Sequence, residues 1–476
     1  MSEDRGAVRE VVWRELFPSL CLLRVPRLAA SFRALALAAL ALVGMVAGWR
    51  MIGGVFSNST DPVLQAWIAA DQPWPWEGSL ATGEAPERTS DADKKIVKTD
   101  RSASQSAPDA KSASTDIREI AGQFYTDLRT KERAAATGAL TDAAQKLVKE
   151  NLSPSVQTLT SANPVVGVWN HLGTPFVRLF SWRVGAANVS LVAAAYALCC
   201  GLWALFLWSA IGGAIVRQTA VSLAREEHLS FGQTIAYGSS KWASLFMAPL
   251  FPMIGAAAAA VPAMLLGLLL NFGAGAIVAG LLWFVLLLFA LLMAVLLVGL
   301  LFGWPLMWAT IGVEGTDAFD ALSRSYAYTF QRPLRYFLYV LAAGALGVLA
   351  VFVVDLVANQ VIQLAFWGAS WGAGSDDVRS AIDATEGIAG VGAQALGFWT
   401  NLVKLLAAAF AYSYFWTATT AIYFLLRRQV DAVEMDEVFL SEQDQSYDLP
   451  PLEADAAGVP GVPADPTTTP PSSPEG

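Results

Sequence analysis

Residues 276–301 read AIVAGLLWFVLLLFALLMAVLLVGLL, without one charged, amide or hydroxyl side chain. A helix needs roughly 20 apolar residues to cross a bilayer core about 30 Å thick. Lipid offers no hydrogen bonds, so a spanning run must satisfy its own backbone and is therefore helical. Five other stretches share this character, at 34–55, 189–215, 245–270, 336–357 and 398–426. The expected fold is an all-α membrane protein with about six transmembrane helices. The fourth run continues as FGWPLMW over 302–308. It is expected to tilt, or to end near Gly303 with an interfacial Trp-Pro-Leu-Met-Trp segment. Residues 34–55 also mimic the apolar part of a signal peptide. With 33 residues before them and no clear small-residue cleavage site, they are read as an uncleaved anchor.

Composition agrees. Of 476 residues, 55% are hydrophobic and only 15% charged, against about 25% charged in ordinary soluble domains. The 17 Trp and 24 Phe suit long apolar surfaces with interface anchors. The net charge of −9 is uneven. No Lys or Arg follows Arg428, whereas 11 acidic residues do. No clustered basic face exists, so a nucleic-acid partner is excluded.

Orientation follows from Lys and Arg in the short connections. Arg24, Arg27 and Arg33 precede the first span. Arg217, Arg225 and Lys241 separate the second from the third. Arg324, Arg332 and Arg335 separate the fourth from the fifth, and Arg427 and Arg428 follow the sixth. The opposite connections are an uncharged turn near Asn271 and a loop, 358–397, with Arg379 against Asp376, Asp377, Asp383 and Glu386. Both ends are therefore expected in the cytoplasm, at a cell (inner) membrane.

The chain then divides into an amphipathic cytoplasmic start (1–33), the first span (34–55), an extracytoplasmic segment (56–185), a five-helix membrane region (186–430) and an acidic, Pro-rich cytoplasmic tail (431–476) expected to be disordered. In the extracytoplasmic segment, Asp61-Pro62 opens a short helix. Residues 84–114 have a disordered composition, and 116–151 form a helical hairpin. An amphipathic stretch from Phe176 to Trp182 is expected to lie on the interface.

Each outward-going span has an amphipathic leader. Leu229-Ser-Phe-Gly-Gln-Thr-Ile-Ala-Tyr-Gly-Ser-Ser-Lys241 and Asp317-Ala-Phe-Asp-Ala-Leu-Ser-Arg-Ser-Tyr-Ala-Tyr-Thr329 place Phe231 and Phe319 alike. The spans thus pair as three hairpins with interfacial cytoplasmic helices. The second leader, extended as Glu314-Gly-Thr-Asp and followed by Pro333-Leu-Arg-Tyr-Phe337, resembles the cytoplasmic helix of uncharacterised bacterial multi-pass proteins. These are similar to the membrane domain attached to some glycerophosphodiester phosphodiesterases. The resemblance covers 216–428 and implies an architecture. It implies no activity, because the catalytic domain with its acidic and His metal ligands is absent from this chain.

Chemistry is sparse. His171 and His228 fall on opposite sides and are read as surface residues, which removes His-based hydrolase and metal schemes. Cys21, Cys199 and Cys200 have no metal spacing. No catalytic, cofactor-binding or metal residue is assigned, and no cofactor is expected. Ionisable residues within spans are the remaining candidates, because lipid makes them costly. These are Asp355 and Lys404, placed to pair across the last hairpin, and Arg50 near the outer face. Glu226 and Glu227 are placed to meet Arg324, Arg332 and Arg335, which also face anionic lipid. The expected partners are the lipid bilayer and a protein bound through the acidic tail or outer hairpin. The expected function is a non-enzymatic scaffold or accessory membrane subunit. The alternative is a transporter or channel-like permease, suggested by the polar trio and by Pro252 and Pro262 within a span.

Overall fold

The structure is a computed structural model that describes residues 18–76, 163–180, 189–384 and 386–439, with two short pieces at 453–454 and 460–461. The expected disordered linker 84–114, the hairpin 116–151, residues 1–17 and nearly all of the tail beyond Phe439 lie outside the described residues. A 3-10 turn over Pro18–Arg24 leads into α1 (Val25–Ala29) and α2 (Phe32–Phe56), then α3 (Pro62–Asp71) and α4 (Pro164–Phe180). Next come α5 (Leu191–Ala224), α6 (Phe231–Ser240), α7 (Trp242–Leu269), α8 (Gly273–Leu281) and α9 (Trp283–Glu314). The chain continues through α10 (Ala318–Gln331), α11 (Pro333–Ala373), α12 (Ser375–Asp383) and α13 (Gly387–Val430).

Six of these helices, α2, α5, α7, α9, α11 and α13, are long and apolar enough to cross a membrane. The fold is that of an all-helical membrane protein. The spans pack as the hairpins α2–α5, α7–α9 and α11–α13, joined through α5 and α13 at the centre. The arginine-bearing connections gather at one end, called the basic end below. Both leader helices form, each opened by a side-chain cap. The Ser230 hydroxyl accepts from Gln233 N–H while the Gln233 side chain accepts from Ser230 N–H, a capping box that opens α6. Asp317 Oδ1 accepts from Asp320 N–H at 2.9 Å to open α10.

Several helices outrun their apolar runs. At 41 and 44 residues, α11 and α13 are roughly 60 Å long at ~1.5 Å per residue, twice the bilayer core. Among the described residues, the expected loop 358–397 is helical apart from breaks at Gly374, Ala384 and Glu386. Nor does the fourth span stop at Gly303. Helix α9 runs through Trp304 and Pro305 to Glu314 and stops at Gly315, whose φ of +65° suits glycine and whose N–H donates to the Ile311 carbonyl.

Helix α4 departs furthest from expectation. It starts at Pro164, twelve positions before the amphipathic stretch expected from Phe176, with Asn163 Oδ1 accepting from Val165 N–H at 2.9 Å. Its N-terminal end meets Gly344 and Gly347 in the middle of α11, and its body packs on α5 and α13. The stretch from Phe176 is therefore the last turns of a helix that dips into the bundle. Val168 and Leu172 on its inner face are buried.

Candidate functional site

At the end opposite the basic one, Asp61 caps the start of α3 and Asp71 is its last residue. Asp61 Oδ1 accepts from Val63 N–H at 2.9 Å, and the Ser190 hydroxyl donates to its other oxygen. That second bond holds the Asp61 carboxyl below the usual carboxylate range. Asp71 Oδ2 accepts from Arg178 Nη1 at 2.5 Å and from the Tyr196 hydroxyl at 2.9 Å. Both charges are mostly buried, and the pairing offsets that desolvation. The Arg178 guanidinium also lies over the Trp67 ring, 5.3 Å from its centroid. The bond that ties α3 to α5 and α4 is thus centred on one carboxylate.

Beside it lies a cavity of about 150 Å³, walled by Trp49, Asp71, Trp74, His171 and Tyr412, among others. His171 Nδ1 and the Tyr412 hydroxyl are hydrogen-bonded, and the imidazole edge meets Trp49 at 5.3 Å. His171 is therefore no surface residue: it joins α4 to α13. The dip of α4 carries it inward. The cavity offers an imidazole, a phenol and a carboxylate whose charge Arg178 already balances. Among the described residues, no group of three or more His, Cys, Asp or Glu side chains is arranged to hold a metal.

The centre of the bundle is aromatic. Trp308 stacks on Trp416 at 4.5 Å, and Trp208 stacks on Tyr412 at 5.3 Å. Trp304 meets Phe415 and Trp416 at 5.6 and 5.7 Å. The segment expected at the interface is instead core, because Trp304 and Trp308 turn inward onto α13.

A second polar cluster closes the basic end. Glu314 forms ion pairs with Arg427 and Arg324, at 3.0 and 2.8 Å, and accepts from the Tyr423 hydroxyl at 2.6 Å. Arg324 also reaches Asp320, one turn earlier, at 3.0 Å. Arg324 thus pairs within α9 and α10 rather than with Glu226, which meets Arg24 at 3.3 Å. Buried Arg217 donates to the Gly312 carbonyl at 3.3 Å and lies 4.7 Å from the Tyr237 ring centroid. The first residues of the acidic tail belong here too. Phe439 N–H donates to the Val313 carbonyl at 2.9 Å, and its ring covers Gly315. On the same side, burial pushes the Cys21 thiol up to about 12 despite neighbouring Arg24.

The three residues singled out from sequence do not form one site. Arg50 is exposed; it donates to the Gln72 carbonyl at 2.9 Å and lies over Trp74 at 4.8 Å. Asp355 is half-buried on α11 and Lys404 exposed on α13. Among the described residues no ion pair joins Asp355 to Lys404. The clusters that do form, around Asp71 and Glu314, lie outside the apolar windows where ionisable residues were sought. One signal was legible for α4. Asn163-Pro164 repeats the cap-then-proline pattern of Asp61-Pro62.

Fold and site together define a multi-pass α-helical membrane protein with two polar end clusters and an aromatic middle. Comparison with protein-family models, curated proteins and solved structures finds no match for the chain.

Proposed function

We propose that the chain is a scaffold or accessory subunit of a bacterial inner membrane, with its basic end in the cytoplasm. The observation that carries this reading is the filled middle of the bundle. Trp208, Trp304, Trp308, Tyr412 and Trp416 stand between the Asp71 cluster and the Glu314 cluster. Transport needs a hydrated or polar-lined path between the two faces. The competing reading, a transporter or channel-like permease, draws on the small cavity at Asp71 and His171 and on Pro252 and Pro262 within α7. Broad apolar faces support an assembling role. Leu287, Leu288 and Leu291 on α9 and Leu349, Phe352 and Val353 on α11 are exposed and open to lipid or to a partner's helix.

The orientation rests on the basic end. Exposed Phe330, Leu334 and Phe337 alternate there with exposed Arg332 and Arg335. That mixture suits a headgroup interface carrying anionic lipid. The likeness of 314–337 to membrane domains of phosphodiesterase-type proteins supports the same arrangement.

The test is affinity purification of the tagged full-length chain in mild detergent, followed by native mass spectrometry. A stoichiometric protein partner is expected. Recovery of the chain alone in several detergents would overturn the scaffold reading. Labelling of an Arg332→Cys variant by an impermeant maleimide in intact cells would overturn the orientation.

A further inference from the structure

A second cavity, more spacious than the one at Asp71, lies away from both polar clusters. It measures about 340 Å³ and sits between α4, α5, α7 and α9, within the usual ~300–1,000 Å³ range of ligand pockets. Its floor is Leu205, Trp208 and Trp308, all buried. Its rim is Val177, Val298 and Leu301, which are 64%, 42% and 46% exposed. The groove therefore runs without a break from the lipid-facing surface of α9 to the aromatic core. We infer that it is a binding site for one hydrocarbon chain of a membrane lipid.

Three physical points carry this. First, the lining is apolar apart from the Asn170 carboxamide, so water entering it would find too few hydrogen-bond partners. Secondly, an empty void of this size forfeits dispersion contacts that a close-packed interior normally makes. Thirdly, the medium outside the rim is hydrocarbon, and the rim side chains continue it inward. A volume of about 340 Å³ holds a hydrocarbon chain but not a whole spanning helix, which is ~10 Å across and ~30 Å long. Met253 gives the wall a flexible, polarizable side chain that adapts to a bent chain. Exposed Asn170 supplies amide donors at the rim, where the ester carbonyl of an acyl lipid would accept.

The face of α4 that lines the groove (Trp169, Gly173, Phe176) is separate from the face that carries His171 to Tyr412. Lipid in the groove would therefore bear on the helix that closes the Asp71 cavity. This inference does not depend on whether the protein scaffolds or transports.

Gly173 gives a clean handle, because a Cβ built there meets nothing within 4 Å. The experiment reconstitutes the full-length protein in phosphatidylethanolamine–phosphatidylglycerol vesicles with a trace of phosphatidylethanolamine bearing a diazirine on its acyl chain. After photolysis, cross-links are mapped by mass spectrometry. Cross-links at 170–177 and 297–304 are expected several-fold above those on the open face at 287–292. Gly173→Leu should lower the groove cross-links several-fold and leave the open face unchanged. Leu301→Trp, which fills the rim from α9, serves if the first variant does not fold. Equal labelling of groove and open face, or groove labelling unchanged in a folded variant, would mean ordinary surrounding lipid only and would overturn the site.

Discussion

The indole N–H of Trp308 donates to the Leu245 carbonyl at 2.8 Å, across from α9 to α7. Leu245 lies four residues before Pro249, which sits inside α7 and has no N–H to give it. One proline thus leaves an orphan carbonyl in the bundle, and one tryptophan on the facing helix satisfies it. Trp308→Phe should cost about 1–3 kcal/mol, the cost of leaving a buried acceptor unpaired. Pro249→Ala restores the helical donor. The double variant should recover part of that loss in denaturation measured in micelles. Losses that simply add would mean that the bond carries none of the stability.

Glu314 serves Arg324, Arg427 and Tyr423 at once. Removing its charge leaves the mostly buried Arg427 without its closest carboxylate. Glu314→Gln should therefore destabilise by about 3 kcal/mol and free the Phe439 segment. Proteolysis between Val430 and Phe439 should quicken in the variant. A cleavage rate equal to that of the parent protein would show that the tail is held by Phe439 alone.

Asp355 and Lys404 lie on the neighbouring helices α11 and α13, the arrangement that a pair across the last hairpin requires. The structure joins them by no ion pair, and Lys404 is exposed. Asp355→Asn and Lys404→Met should then act independently. Their combined effect on stability should match the sum within ~0.5 kcal/mol. A coupling well beyond that would restore the pair.

The spans and their leader helices were legible because lipid imposes long apolar runs and because Ser230, Asp317 and Asp61 write their caps locally. Helix ends were less so. An apolar run fades where the bilayer ends, but a helix stops at a residue that can reverse the chain, here Gly315 and Gly374. Trp304 and Trp308 misled for another reason. Tryptophan is common at interfaces, and only the three-dimensional position of Trp416 shows that these two face inward. The site was hidden because its contacts are long-range. Asp71 meets Arg178 and Tyr196, and nothing near Asp71 in sequence announces either partner. Helix α4 was diluted below a span's hydropathy by Asn170, His171, Thr174 and Arg178, the residues that give it work to do.

The bond from Ser190 to Asp61 ties α5 to α3 and needs an ionised carboxylate. Its folded pKa lies below that of an unfolded aspartate, ~3.9. The tether's contribution is therefore present above that unfolded value and is lost as pH falls through the lowered folded one. Hydrogen exchange of the α3 amides should rise on acidification to about that range. Asp61→Asn should exchange faster at neutral pH and respond less to acid. An unchanged acid response in the variant would assign the effect to another group.

Close approach of α4 to α11 depends on Gly347. A Cβ there would lie 2.6 Å from Pro164 Cγ and 2.8 Å from Tyr414 Cε1, contacts that no relaxed side chain tolerates. The ring of Tyr414 is buried and its hydroxyl donates to the Ala343 carbonyl at 2.6 Å, so it has little room to yield. Gly347→Val should therefore push the start of α4 outward. His171 would then part from Tyr412, and the cavity at Asp71 would open. Gly368, on the same helix but with nothing within 4 Å of its Cβ position, is the control. Gly368→Val should change stability by under ~0.5 kcal/mol, against about 1–3 kcal/mol or more for Gly347→Val. Protection of the α4 amides from hydrogen exchange reads the displacement directly. It should fall in the Gly347 variant and persist in the Gly368 variant. Equal protection in both would mean that α4 is held from its other end, by Arg178 and Asp71.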